Sequence, residues 1–496
     1  MVIDLANINN SSGGGKTEAV SVTYTSNGDY TITPSADADA ISKATVTVDV
    51  QATLTDSADK KYAYWDLTNI PEDFNFVART DVTHLFEGAK NYDVIADKVA
   101  AMSANTKDYE STFAGCDATT ITTPLITDNP SIKTNYQSTF ENCTATEIIV
   151  NSDWSTTNTY RNYKNFLSGC KNLQRFRVSS VYLARPGQWL DYEGMYKNCE
   201  NLEAMLYNQF NTPIAWTILV DNYTGATDPA SYRSVFENCY KMCYWPQNIY
   251  FTHKNAYVDP DASKAFYLAG SQASNPGSIK LVRFDNMERA DWCFYGAKFS
   301  SITIGNSTYP LAALLYANHF CDSIVGLTTH PVITSKIKEA DYAFQNCTSL
   351  KAGIDWDFSD LETAKGMYKG CTSLMSCTLS TIGDYDTPHL RDISEMFSGC
   401  TSLVQIPAFD CSYVQDATDV VKDCTSLQLL NQGGFKNLHC DLDLSTATAI
   451  TAESLVNLIS VLGTVSGKTL TLGDTNKAKL TADQIAVATA KGWTVA

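Results

Sequence analysis

The chain of 496 residues contains no run of 18 apolar residues, which excludes an apolar helical membrane span. Basic residues are scarce: 36 Lys and Arg stand against 54 Asp and Glu, a net charge of −18. A nucleic-acid binder must neutralise phosphates with a basic face, so no nucleic-acid partner is expected. Charged residues reach only 18 %, below the roughly 25 % of ordinary globular domains, and solubility rests on Thr, Ser and Asn instead. With 26 Gly and 14 Pro the composition is neither collagen-like nor low-complexity. None of the six histidines lies in H-E-x-x-H, and neither G-x-S-x-G nor a P-loop occurs. The start, MVIDLANINN, has no basic region and no apolar run, so no secretory signal is expected. The fifteen cysteines are an odd number and cannot form a closed disulfide set.

What the chain does have is a repeat. EMFSGCTSL at Glu395–Leu403 echoes MYKGCTSL, AFQNCTSL, MYKNCENL, FLSGCKNL and TFENCTAT. Aligned on the cysteine, apolar or aromatic residues fall at i, i+3, i+4, i+7 and i+10, as at Ile393, Met396, Phe397, Cys400 and Leu403. That spacing is one face of an α-helix. The frame can be placed thirteen times, starting at Val82, Tyr109, Tyr136, Tyr163, Tyr192, Tyr232, Lys264, Ala290, Leu314, Ala340, Ala364, Ile393 and Ala417. In ten of the thirteen copies the preceding residue is Asp, Asn, Ser or Thr, such as Asp108, Asn135, Asn162, Asp191 and Asp416; these side chains cap helix N-termini. Asp392 with Glu395 resembles a capping box. A β-rich stretch follows each frame, for example Glu147-Ile148-Ile149-Val150. The fold class expected is α/β: a leucine-rich-repeat solenoid with a short helix and a short strand per repeat, in which no unit buries its apolar face alone.

Met396–Leu427 resembles the BspA-like leucine-rich repeats of bacterial surface proteins, closely from Asp341 to Leu427 and more loosely back to Asp81. Near the N-terminus, apolar and polar residues alternate at Val20, Val22, Tyr24, Tyr30 and Ile32 around Asn27-Gly28, with a further strand at Val46, Val48 and Val50. This resembles a small β-module of tailed-bacteriophage virion proteins. After the repeats, a helix around Ala452–Leu462, a strand at Lys468–Gly473 and a helix opened by Thr481 and running to about Ala490 form a closing unit. It resembles the terminal module that follows such repeats in phage-derived proteins. The domains expected are residues 1–15, an anchoring peptide and linker; 16–58, a small all-β module; 59–440, the solenoid; and 441–496, an α/β cap.

These resemblances imply a non-enzymatic virion protein, a head or tail fibre or decoration protein made in the host cytoplasm. It would attach to capsid or tail proteins through its N-terminus, as a dimer or trimer. Its repeats would recognise a host-surface glycan or protein. The alternative is a bacterial cell-surface adhesin with the same repeats. No cofactor, metal or membrane insertion is expected. The ten frame cysteines (Cys116, Cys143, Cys170, Cys199, Cys239, Cys321, Cys347, Cys371, Cys400 and Cys424) read as a packed small-residue ladder, because Ala89 and Ala297 fill the same slot. Cys239, Cys243 and His253 form a faint ligand cluster, and Asp355, Asp357 and Asp360 a faint cation site. The long inserts after Cys199 hold the candidate ligand-binding residues Tyr207, Phe210, Trp216, Tyr223, Tyr244, Trp245, Tyr250, Phe251 and Tyr257. They would stack on sugars, form a protein hot spot, or cover the solenoid's flank.

Overall fold

The computed structural model of the chain describes residues 19–24, 30–35, 83–84, 86–89, 106–123, 125–127, 134–153, 161–178, 190–207, 212–213, 217–218, 231–245, 248–252, 261–275, 277–285, 289–299, 301–304, 319–322, 337–353, 358–377 and 390–496. Two units can be distinguished, Met1–Gln247 and Asn248–Ala496.

In the first unit, Thr120–Thr122, Glu147–Val150, Arg175–Val178 and Ala204–Tyr207 pair in parallel, one strand per repeat. Ile121, Ile148, Phe176 and Met205 stand in register and are buried, the inward half of a period-two pattern. A second parallel strip joins Thr134–Asn135, Arg161–Asn162 and Leu190–Asp191. Tyr109, Tyr136, Tyr163, Tyr192 and Tyr232 stack in one column, with centroids 5.0, 5.4, 5.9 and 5.7 Å apart. The expected N-terminal hairpin is present as an antiparallel pair, Ala19–Tyr24 with Tyr30–Ser35, with Val22 and Ile32 partners in the backbone register. The expected strand at Val46–Val50, the linker Ser11–Gly15 and Met1–Asn10 lie outside the described residues.

In the second unit, Asn248–Thr252, Ser278–Asp285 and Ser301–Ile304 are parallel neighbours. Single parallel bridges then link Glu339, Thr363, Asp392 and Asp416 in succession. The stack closes with the parallel strands Leu442–Asp443, Lys468–Thr471 and Trp493–Val495. Here helices alternate with strands as the leucine-rich-repeat plan requires. Ala452–Val461 is capped by the Thr451 side chain, and Ala482–Ala490 opens with a Thr481/Gln484 capping box. A short helix, Gly473–Lys477, was not foreseen. The Lys491 ammonium donates to the Ile459, Ser460 and Leu462 carbonyls at 3.0, 2.6 and 2.9 Å, covering the acceptors that the end of Ala452–Val461 leaves open.

The solenoid is therefore present, but the turning segment inside each upstream repeat is not the expected helix. In the rung that starts at Ala364, the N–H groups of Ala364, Gly366, Tyr368 and Gly370 donate to Asp392, Ser394, Met396 and Ser398 of the next rung. The alternate N–H groups, of Met367, Lys369 and Cys371, donate three residues back to Ala364, Gly366 and Tyr368. The rung starting at Tyr109 repeats the pattern against Asn135, Gln137, Thr139 and Glu141. The segment is thus a chain of β-turns laddered to its neighbour. Two residues after the start and again four later the backbone takes positive φ: Ser111 and Gly115, Ser138 and Asn142, Asn165 and Gly169, Gly366 and Gly370. An α-helix cannot contain such residues; type II turns require one at their third position.

The preceding polar residue still caps, but as an Asx turn. Glu110, Gln137, Lys164, Ser394 and Thr418 donate their N–H to Asp108, Asn135, Asn162, Asp392 and Asp416 at 2.9, 3.1, 2.9, 2.8 and 2.9 Å. Asn162 and Asn135 also donate side chain to side chain down the stack, to Asn135 at 3.2 Å and Asp108 at 3.1 Å. The capping-box expectation for Glu395 fails, since Glu395 occupies the left-handed position at φ 57° and pairs with Lys369 at 2.8 Å. Two frames shift as well. Asp261 accepts from Ser263 and Lys264 is left-handed, so that copy starts at Ala262 rather than Lys264. His319 is left-handed, so the Leu314 copy runs three residues later than expected.

Gly467 and Gly492 separate backbone strain from steric clash. Both have positive φ, 68° and 88°, but a Cβ at Gly467 meets nothing within 4 Å while one at Gly492 runs into the Val465 carbonyl. Gly467→Ala is expected to cost about 1 kcal/mol and Gly492→Ala about 1–3 kcal/mol more, read as a larger drop in the urea midpoint.

Candidate functional site

The cysteine ladder holds the largest set of chemistry-bearing side chains among the described residues. The thiols of Cys116, Cys143, Cys170, Cys199 and Cys239 donate to the carbonyls of Phe86, Phe113, Phe140, Leu167 and Tyr196 in the preceding rung, at 2.9–3.1 Å. Cys347, Cys371, Cys400 and Cys424 do the same to Cys321, Phe344, Tyr368 and Phe397 at 2.9–3.0 Å. The slot therefore asks for a small group with a donor, which Cys supplies and Ala approximates. Cys321 is not one of these donors: with the shifted frame it fills the slot that Phe294 and Phe344 occupy in the neighbouring rungs. Its carbonyl is instead the acceptor for Cys347.

All fifteen thiols are free, and all but Cys243 are buried. Burial pushes the Cys371 and Cys424 thiols up to about 12, and Cys143, Cys170, Cys199 and Cys239 well above the ordinary range. The nucleophile is the thiolate, so these thiols are packed and inert. Cys239, committed to the ladder, is not available to the faint cluster with Cys243; His253 lies outside the described residues. Asp355 and Asp357 also lie outside them, and the described residues contain no group of three or more metal-ligating side chains.

The insert aromatics do not assemble into one site among the described residues. Trp245 is buried edge-on against Phe236, centroids 5.5 Å apart, and Phe251 is buried in a stack on Phe266 at 5.7 Å. Both are core residues. Tyr244 is 54 % exposed. Tyr207 and Tyr250 lie on the strands Ala204–Tyr207 and Asn248–Thr252. Phe210, Trp216, Tyr223 and Tyr257 lie outside the described residues.

A different set of aromatics lies together in the second unit. Trp292, His319 and Tyr342 take the first left-handed position of three successive rungs, at φ 61°, 51° and 55°. Trp292 stacks on His319 with centroids 3.9 Å apart, and His319 on Tyr342 at 4.8 Å. Three residues further along their rungs, Tyr267 and Tyr295 form a second stack at 5.0 Å. The planes of Trp292 and Tyr295 are inclined by 54°. All five side chains are half-buried.

The ribbon is held in place from its sides. His319 Nδ1 bonds the buried Asp322 at 2.7 Å. The Lys264 ammonium sits 5.6 Å from the Tyr267 centroid. Gly366, itself at φ 55°, leaves the space into which the Tyr342 ring reaches. Bulky residues at positive φ are outliers, and in other rungs the same position holds Ser111, Ser138, Asn165, Ser234 or Gly366, or a charged residue, Lys264, Glu395 or Asp419. An aromatic there costs of order 1 kcal/mol, and such strain clusters at functional positions. The signal was available to sequence reasoning as an aromatic column two residues after each start, but the misplaced starts at Lys264 and Leu314 broke the column.

The thiol ladder yields a direct test. Iodoacetamide applied to the native protein is expected to label Cys243 alone, slowly because burial raises its thiol too, and all fifteen cysteines in denaturant, read by peptide mass spectrometry. Rapid native labelling of Cys143 or Cys371 would contradict the ladder.

Residues 321–432 match the family model described as Mycoplasma protein of unknown function, DUF285. No curated protein sequence matches the chain. Among solved structures, the chain is similar to a leucine-rich cell surface protein from Faecalibacterium prausnitzii A2-165, at 14 % identity and TM-score 0.26, over 63 % of this chain and 87 % of that one. It is also similar to a chain of the Drosophila Toll–Spatzle complex, at 12 % identity and TM-score 0.24, over 66 % and 43 % of the two chains. With parallel strands stacked one per repeat and a segment that matches the DUF285 model, the chain is a leucine-rich-repeat-like solenoid.

Proposed function

We propose that this chain is a non-enzymatic recognition protein displayed on a surface, in the manner of a bacterial cell-surface adhesin. One observation carries the reading: three consecutive rungs hold aromatic rings at strained, half-buried left-handed positions, where other rungs hold Ser, Asn, Gly or a lone Lys264, Glu395 or Asp419. A run of strained rings left half-buried points to binding. The cysteines, by contrast, are consumed in holding rung to rung, at thiol–carbonyl distances of 2.9–3.1 Å.

A virion fibre or decoration protein is the second reading. The antiparallel pair Ala19–Tyr24 and Tyr30–Ser35, close behind the Gly-rich segment Gly13–Gly15, is the feature that favours it. Such a protein would attach to capsid or tail proteins through its N-terminus as a dimer or trimer, and both readings expect a surface glycan or protein as ligand.

Brief trypsin treatment of intact producing cells, followed by mass spectrometry of the released peptides, tests the proposal. Release of peptides from this chain is the expected result. Recovery in purified virus particles instead would move the protein to the second reading, and a soluble pool that intact cells wholly protect would overturn both.

A further inference from the structure

From the ribbon's geometry we infer that Tyr267, Trp292, Tyr295, His319 and Tyr342 form a binding track for an uncharged, extended polysaccharide laid along the solenoid. The inference rests on the recognition reading above and names the ligand class of that surface.

Three observations carry it. First, the rings stack face to face within each column, at 3.9 and 4.8 Å in one and 5.0 Å in the other, with planes within 21°. Their faces are spent on one another, so a ligand meets a comb of half-buried ring edges, with His319 Nδ1 held by Asp322 and Tyr342 by Lys365 at its margin. A comb of that kind matches a ligand with hydroxyls at every step better than a single sugar that needs an open face. Second, rungs repeat at ~4.8 Å, close to the advance of one pyranose along an extended β-linked chain. A polymer lying along the stack therefore meets an equivalent edge at each sugar. Third, the surroundings suit a neutral ligand. The chain carries a net charge of −18, which repels polyanions, and the charged groups beside the ribbon, Lys264 over Tyr267, Lys365 at the Tyr342 side chain and Asp322 at His319, are of both signs.

The ribbon is two side chains wide, too narrow for the ~800 Å² per partner of a stable protein interface. Nor does it suit a polyproline peptide, which needs gaps between aromatic rings to receive proline; here the rings are already in contact.

The strain argument supplies the test variant. Asn165 occupies the equivalent position in the first unit at φ 54°, so W292N/H319N/Y342N places a residue the backbone prefers at each site. Calorimetric titration of the full chain with cellobiose, cellohexaose and chitohexaose, with a proline-rich decapeptide in parallel, reads the outcome. At least one hexasaccharide is expected to bind, with cellobiose much weaker. The triple variant is expected to lose about tenfold or more in affinity while keeping the far-UV circular dichroism spectrum of the parent chain. No binding of either hexasaccharide, saturation by the peptide alone, or undiminished binding by the variant would overturn the inference. If the chain is shed from intact cells yet binds neither hexasaccharide, only this inference falls and the recognition reading stands.

Discussion

Everything in the upstream repeats depends on how the backbone divides its donors. Alternate N–H groups turn the chain by bonding three residues back, and those between them bond the next rung. One segment thus does the work of a corner and of a ladder at once. The division is possible only because two residues four apart adopt positive φ, as at Gly366 and Gly370 or Ser138 and Asn142. Each left-handed residue takes the third position of a turn that the following N–H closes, while its own N–H bonds the neighbouring rung, as Met367 and Gly366 do. A rung folded alone would leave those outward donors unpaired, so the local conformation and the stacking are a single event.

The same constraint explains the side chains. With the backbone turned so tightly, the slot at the end of each turn admits only a small group, and the carbonyl of the preceding rung points into it. A thiol fits the space and donates to that carbonyl, as at Cys143 and Phe113 or Cys400 and Tyr368. The first left-handed position varies from rung to rung: most hold Gly, Ser, Asn or a charged residue, whereas Trp292, His319 and Tyr342 make it a ribbon of half-buried rings. Architecture and candidate site are thus two consequences of one backbone device.

Much of this was legible in the residues. The i, i+3, i+4, i+7 frame located the rungs, the polar residue before the start accepts a backbone N–H at Asp108, Asn135, Asn162, Asp392 and Asp416, and the helices expected around Ala452–Leu462 and after Thr481 are present. The helical reading of the frame failed because that spacing is shared: a chain of turns that buries every third and fourth residue looks apolar with the same period. The contrary signal lay inside the frame, where Gly115, Gly169, Gly370 and Gly399 alternate with Asn142, Asn198 and Asn346 at positions a helix interior would fill otherwise. The aromatic ribbon was hidden for a related reason. In the copies around Lys264 and Leu314 the cysteine slot holds no cysteine, so alignment on cysteine slipped just where Trp292 and His319 are neighbours. Trp245 and Phe251 drew attention as aromatics in long inserts, but their rings complete the core against Phe236 and Phe266.

Far-UV circular dichroism, taken together with the amide I band, tests the turn-and-ladder account most directly. Among the described residues, α-helix is confined to Ala452–Val461, Gly473–Lys477 and Ala482–Ala490, so the account predicts a β- and turn-dominated spectrum with only a weak helical minimum near 222 nm. A strong helical signal, of the size that one helix in every repeat would produce, would contradict it.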